Sequence, residues 1–102
     1  MPPILTQHLS GIEALCRKYA VERLEAFGSI ARPDFDPAKS DADLLVLFQK
    51  HPGMNKADQF LGLLEELERL LDRKVDLVDI TAARNPYFIA EALRHRVRLY
   101  AA

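Results

Sequence analysis

The apolar run Leu44-Leu45-Val46-Leu47-Phe48 follows directly on Asp41-Ala42-Asp43. A run so short and so uniformly apolar has no wet face to spare. It fits a strand over Ala42–Phe48 lying inside a sheet and covered on both sides, not one at an exposed edge. The rest of a 102-residue chain must supply that cover. This length supports one two-layer core and no second module, so residues 1–102 are expected to form a single domain.

The remaining periodicity supplies helices alternating with strands. Leu5, Leu9, Ile12, Cys16 and Tyr19 make one stripe of an amphipathic first helix, with Cys16 as core filler. Val21–Phe27 reads as a short strand running into Gly28, and His51-Pro52-Gly53 breaks the central strand. Asn55 and Asp58 have the spacing of a helix cap. The helix after them carries Phe60, Leu64, Leu67 and Leu71, with Glu65, Glu66, Glu68 and Arg69 on a solvated side. Residues 75–80 form a further strand. Asn85-Pro86 opens a last helix running to about His95, and residues 97–100 close as a short edge strand able to pair with another chain. The fold class expected is α/β or α+β, a small mixed sheet flanked by helices.

The chemistry sits where these elements meet. Residues two apart on a strand share a face, so Asp41 and Asp43 project together from one end of the central strand. Asp76 lies in the run Val75-Asp76-Leu77-Val78, on a neighbouring strand. Carboxylates beside such apolar runs cost stability unless paired or metal-bound. Gly28 lets the backbone approach a phosphate closely, and Ser29 offers a hydroxyl and an amide at the start of a short helix through Ile30, Ala31 and Arg32. A phosphate cradle followed by three acids is the equipment for moving a nucleotidyl group. Two magnesium ions on hard oxygen ligands can neutralise a leaving pyrophosphate and activate a hydroxyl. Asp76 either completes that metal site or accepts the hydroxyl proton. Asp79 alternates to the other face and reads as a strand-end residue.

Other readings of the same residues fail on pattern. An EF-hand loop counted from Asp34 would put Ala38, Lys39 and Leu45 where an acid or amide, a glycine and a glutamate are required. Asp34 and Asp36 are then exposed turn acids in a loop over residues 33–39. His8, His51 and His95 have no metal-ligand spacing and read as surface histidines. Neither the P-loop nor the dinucleotide glycine pattern is present.

Gly28-Ser29-Ile30-Ala31-Arg32 followed by Ser40-Asp41-Ala42-Asp43-Leu44-Leu45-Val46 resembles the signature of the minimal nucleotidyltransferases, the smallest members of the DNA polymerase beta-like superfamily. Val75-Asp76-Leu77-Val78 resembles the strand that bears that family's third carboxylate, so the likeness spans nearly the whole chain. The resemblance implies the palm-like nucleotidyltransferase fold. It implies that Gly28, Ser29 and Arg32 bind the nucleotide, and that Asp41, Asp43 and Asp76 are the catalytic, magnesium-holding acids. It further implies ATP as substrate, AMP transfer to a hydroxyl of a protein acceptor, and a HEPN-domain toxin as that partner, with this chain as antitoxin. Two positions depart from the family pattern. Pro33 stands where glycine is common, and the interval from Ser29 to Asp41 is one residue longer than the familiar spacing. Arg32 either reaches a phosphate or pairs with a loop acid.

The alternative is a module of the same fold that binds nucleotide without catalysis, or neutralises its partner by contact alone. Nucleic-acid binding through Arg94, His95, Arg96 and Arg98 competes with a simpler reading, basic residues facing the negative pole of a helix end. The net charge of -1 gives no general pull toward nucleic acid or membrane. With 49% hydrophobic and 28% charged residues, a single cysteine and no long apolar stretch, the expectation is a cytoplasmic protein without disulfides. The start of the chain lacks the basic and apolar regions of a signal peptide.

Overall fold

The expected central strand lies inside the sheet. The computed structural model describes residues 3–31, 41–82, 85, 90, 94 and 96–102, and of residues 29 and 31 the backbone alone. Arg32, Pro33, the turn acids, Ser40 and nearly all of the expected last helix lie outside the described residues. The elements are α1 (Pro3–Gln7), α2 (Leu9–Lys18), β1 (Val21–Phe27), a 3-10 turn (Gly28–Ala31), β2 (Ala42–Phe48), α3 (Lys56–Leu71), β3 (Val75–Asp79) and β4 (Arg96–Ala101). The strand order is β3-β2-β1-β4. β1 pairs antiparallel with both β2 and β4, while β2 and β3 run parallel. A parallel pair needs a crossover, and α3 provides it. The result is the mixed sheet with helices that the sequence predicts.

Alternation along each strand sorts the side chains onto two faces. Leu24 and Ala26 of β1, Ala42, Leu44 and Val46 of β2, and Val75 and Leu77 of β3 are buried in one core with Leu5, Ile12 and Cys16 of α1 and α2 and Leu63, Leu67 and Leu71 of α3. On the opposite face Phe27 and Leu45 form a smaller cluster with Val78. Leu45 is 4% exposed, so β2 is dry on both faces near its middle. Burial pushes the Cys16 thiol up to about 12, as befits a core residue and not a nucleophile.

The helices differ from expectation in instructive ways. The first helix is two, broken at His8, whose φ of -108° and ψ of 9° leave the helical region. The His8 N–H donates to the Leu5 carbonyl at 3.3 Å in the tighter 3-10 spacing, and the ladder restarts with Ile12 N–H to His8 O at 2.9 Å. In α3 the Asn55 side chain caps the helix, accepting from the Asp58 N–H at 2.8 Å. The deepest stripe is Gln59, Leu63, Leu67 and Leu71, with Phe60 and Leu64 packed at its border. Gln59 is tolerated there because its amide donates to the carbonyls of Tyr19 and Gln49, each at 2.9 Å. Nor are all the acids of α3 merely solvated. Glu66 accepts from the Tyr19 hydroxyl and pairs with Lys18, and Glu68 accepts from the Val75 N–H at 3.0 Å where β3 begins.

No helix among the described residues is long and apolar enough to cross a membrane.

Candidate active site

The β1–β2 register builds the site. Phe27 is the cross-strand partner of Asp43, so the end of β1 and the start of β2 lie side by side although the segment between them is long. Gly28 follows Phe27 with φ of +66°, a left-handed conformation that a side chain disfavours. A Cβ at this position would fall 2.7 Å from Asp43 Oδ2. The turn backbone therefore rests directly on a carboxylate, which would have to turn away to admit any side chain at this position. From Gly28 the chain enters the 3-10 turn that carries Ser29.

The β2–β3 register adds the second acid. Asp43 and Asp76 are direct partners on parallel strands, so both side chains stand on the face opposite the helices. Asp76 is exposed and Asp43 half-buried; Asp41, one residue before β2, is exposed. Burial raises the Asp43 carboxyl above its usual range, and the charges of Asp76 and then Asp41 raise it further. The three acids expected from the sequence thus share one electrostatic neighbourhood, and their mutual repulsion is what a cation would relieve.

Asp79 does stand apart. It ends β3, where it accepts from the backbone N–H of Thr81 at 2.9 Å and from its hydroxyl at 2.7 Å, and pairs with Lys56 at 3.4 Å. Burial alone would raise its carboxyl, but those partners hold it below the usual range.

Among the described residues, no three His, Cys, Asp or Glu side chains are gathered closely enough to hold a metal ion by themselves. Asp41, Asp43 and Asp76 are instead an open set of hard oxygen donors. Magnesium suits such a set, since it is usually bound through one or two carboxylates with substrate phosphates and water completing its shell. The donor chemistry and the repulsion at Asp43 fit that ion.

Three further charged residues on this face, Glu25, Arg96 and Arg98, belong to no motif in the sequence. Across the sheet, one row runs Asp76, Asp43, Phe27, Arg96 and the next runs Val78, Leu45, Glu25, Arg98. Glu25 is 6% exposed, and its Oε2 lies 3.4 Å from Arg96 Nε. Arg96 and Arg98 sit on a strand, so the helix-end explanation for their charge does not apply to them. The only signal available was the pattern of Val21-Glu22-Arg23-Leu24-Glu25-Ala26-Phe27, which puts Glu25 and Phe27 on one face.

The small mixed sheet, with a glycine turn seated on one of two facing strand carboxylates, is the setting in which the family likeness is to be judged. The chain belongs to the nucleotidyltransferase domain family, whose pattern matches residues 10–99. Two proteins of Methanocaldococcus jannaschii, both assigned by name as protein adenylyltransferases, are similar to it. One is 44% identical over 73 residues, 72% of this chain and 70% of the relative; the other is 37% identical over 70 residues, 69% and 68%. A solved structure assigned as a minimal nucleotidyltransferase shares 30% identity with a TM-score of 0.74, covering 91% of this chain and 90% of that one. The same fold recurs, at 21% identity and a TM-score of 0.67, in a tri-AMPylated Shewanella oneidensis HEPN toxin in complex with its MNT antitoxin. That match covers 96% of this chain and 73% of the other. A toxin–antitoxin structure with AMP-PNP matches at 23% identity and a TM-score of 0.69, covering 92% and 73%.

Proposed function

We propose that this nucleotidyltransferase moves AMP from ATP to a hydroxyl of a protein acceptor, with magnesium held at Asp41 and Asp43 and with Asp76 as third acid. The observation that carries this reading is the seating of Gly28 against the Asp43 carboxylate, with Asp76 facing Asp43 across the parallel strands. An anion on the Gly28 turn would lie beside the acids.

The residues divide the work. Gly28 and the backbone of Ser29 approach the phosphates and fix the α-phosphorus near the start of β2. Magnesium, when bound, screens the carboxylates from the phosphates and stabilises charge developing on the pyrophosphate. The acceptor oxygen forms a bond to the α-phosphorus while the bond to pyrophosphate breaks. Asp76, exposed at the acid row, is assigned either to take the hydroxyl proton or to share the metal. Arg32, one residue past the 3-10 turn, is assigned to the phosphates on its motif position.

The acceptor class proposed is a HEPN-domain partner, with this chain as antitoxin. The assigned names of the Methanocaldococcus jannaschii relatives support protein as acceptor, and the fold shared with the toxin–antitoxin complex supports the pairing. Leu61, 56% exposed on α3, marks a helix surface on which such a partner can rest.

The test is transfer of label from ATP carrying it at the α-phosphate, with magnesium, to a co-expressed HEPN partner. Wild type should label the partner, and Asp43→Asn should lose transfer by orders of magnitude, since one metal-held charge is worth several kcal/mol in such a transition state. Equal labelling by the two proteins refutes the assignment. Partner binding without labelling by either would favour the contact-only module.

A further inference from the structure

We propose that Arg96, anchored by Glu25, receives the pyrophosphate end of the nucleotide, on the far side of the Gly28 turn from the three acids. This deepens the nucleotidyl-transfer reading and rests on it.

The placement comes from the sheet. Arg96 is the cross-strand partner of Phe27, the residue that leads into Gly28. Asp43 is the partner of Phe27 on its other side. Arg96 and Asp43 therefore flank the root of the turn at two strand spacings, about 10 Å apart across the sheet. The 3-10 turn itself packs against β1, β2 and β4, so it is bracketed by the strand of the acids and the strand of the arginine. Phe27, 8% exposed, forms an apolar floor between them.

The chemistry follows from charge. A triphosphate drawn to the acid side by a cation still carries negative charge on the β- and γ-phosphates. That charge grows on the leaving pyrophosphate as the α-phosphorus bond breaks. Guanidinium is planar, permanently charged and bidentate toward phosphate oxygens. Arg96 meets Glu25 through Nε at 3.4 Å, and its side chain remains 40% exposed. It therefore keeps other N–H donors for a ligand.

Glu25 explains why the arginine is fixed. Among the described residues Glu25 is the one buried charged side chain. A buried carboxylate is costly unless paired, so holding Arg96 in place is the favourable state of both. Arg98, directly opposite Glu25 and exposed, adds positive potential on the same face. A pair serving only to pin β4 to β1 would not affect anion affinity, and the experiment separates these roles.

The full chain is titrated calorimetrically with inorganic pyrophosphate, with AMP and with ATP, each separately and in the presence of magnesium. Arg96→Gln should weaken pyrophosphate by about 10–100-fold, the scale of a lost charged hydrogen bond, and leave AMP within about twofold. Arg96→Lys should recover part of the pyrophosphate affinity. Arg96→Gln leaves Glu25 buried without its partner, so Glu25→Gln/Arg96→Gln is measured beside it; the neutral pair removes that penalty and should show the same selective loss. Unchanged pyrophosphate affinity in the double variant overturns the proposal, as does an equal loss for pyrophosphate and AMP. If wild type binds pyrophosphate, AMP and ATP not at all, the nucleotidyl-transfer reading itself falls, and the role of Arg96 falls with it.

Discussion

Replacing Gly28 by alanine tests the contact on which the site is built. Two separable terms oppose the substitution. The backbone at φ of +66° is a left-handed conformation, which costs an L-residue about 1–2 kcal/mol. The added Cβ would also lie 2.7 Å from Asp43 Oδ2. The carboxylate is the end of a short side chain and can turn away, at about 0.5–1.5 kcal/mol for leaving its rotamer. Together the terms amount to about 2–3 kcal/mol, or a fall in melting temperature on the order of 10–20 °C for a domain of this size. A double-mutant cycle with Asp43→Ala separates them. In that background the collision disappears while the backbone term stays, so Gly28→Ala should cost only about 1–2 kcal/mol. Urea denaturation of the four proteins without metal measures both costs. Equal costs in the two backgrounds would mean that Gly28 does not touch the Asp43 carboxylate, and the geometry proposed for the site would be wrong. In the single variant, turning Asp43 away should also reduce transfer on the order of 100-fold, as an ångström of misplacement does.

Stability without metal should depend on pH through Asp43. Its carboxyl is raised in the folded protein by burial, then by Asp76 and Asp41. Its contribution is therefore complete below the ordinary aspartate range and is lost as pH climbs through the raised folded value. Asp43→Asn should flatten that part of the stability profile; a profile that coincides with wild type in shape refutes the electrostatic account. At the other end of β2, Asn55→Ala removes the side chain that accepts from the Asp58 N–H. It should cost about 1 kcal/mol in chemical denaturation and leave AMP transfer unchanged, because the α3 cap is remote from the start of β2.

Much of the fold was legible because strong local signals agreed. The bounds of β1 and β2 match the sequence reading, since Gly28 stops one strand and the uniformly apolar run after Asp43 can only be an inner strand. The α3 start was legible in the Asn55–Asp58 spacing. The buried stripe of α3 was harder, because Gln59 looks polar in sequence. It is buried only because the Tyr19 and Gln49 carbonyls, distant along the chain, come within its reach. The break at His8 was likewise unreadable, as the stripe Leu5–Ile12–Cys16 continues through it.

For the site, the residue types and their order were in the sequence: glycine and serine, then two acids opening a strand, then a third acid in another strand. Those chemical identities are the basis on which phosphate and metal chemistry is proposed, because carboxylates beside such apolar runs cost stability unless paired or metal-bound. What the sequence could not contain is register. Strand pairing is a long-range choice made by the whole core, and a slip of one residue would send Asp43 or Asp76 to the helix side. Only the assembled sheet places Gly28 on the Asp43 carboxylate, sets Asp76 across from it, and brings Arg96 to Glu25 in the adjoining strand.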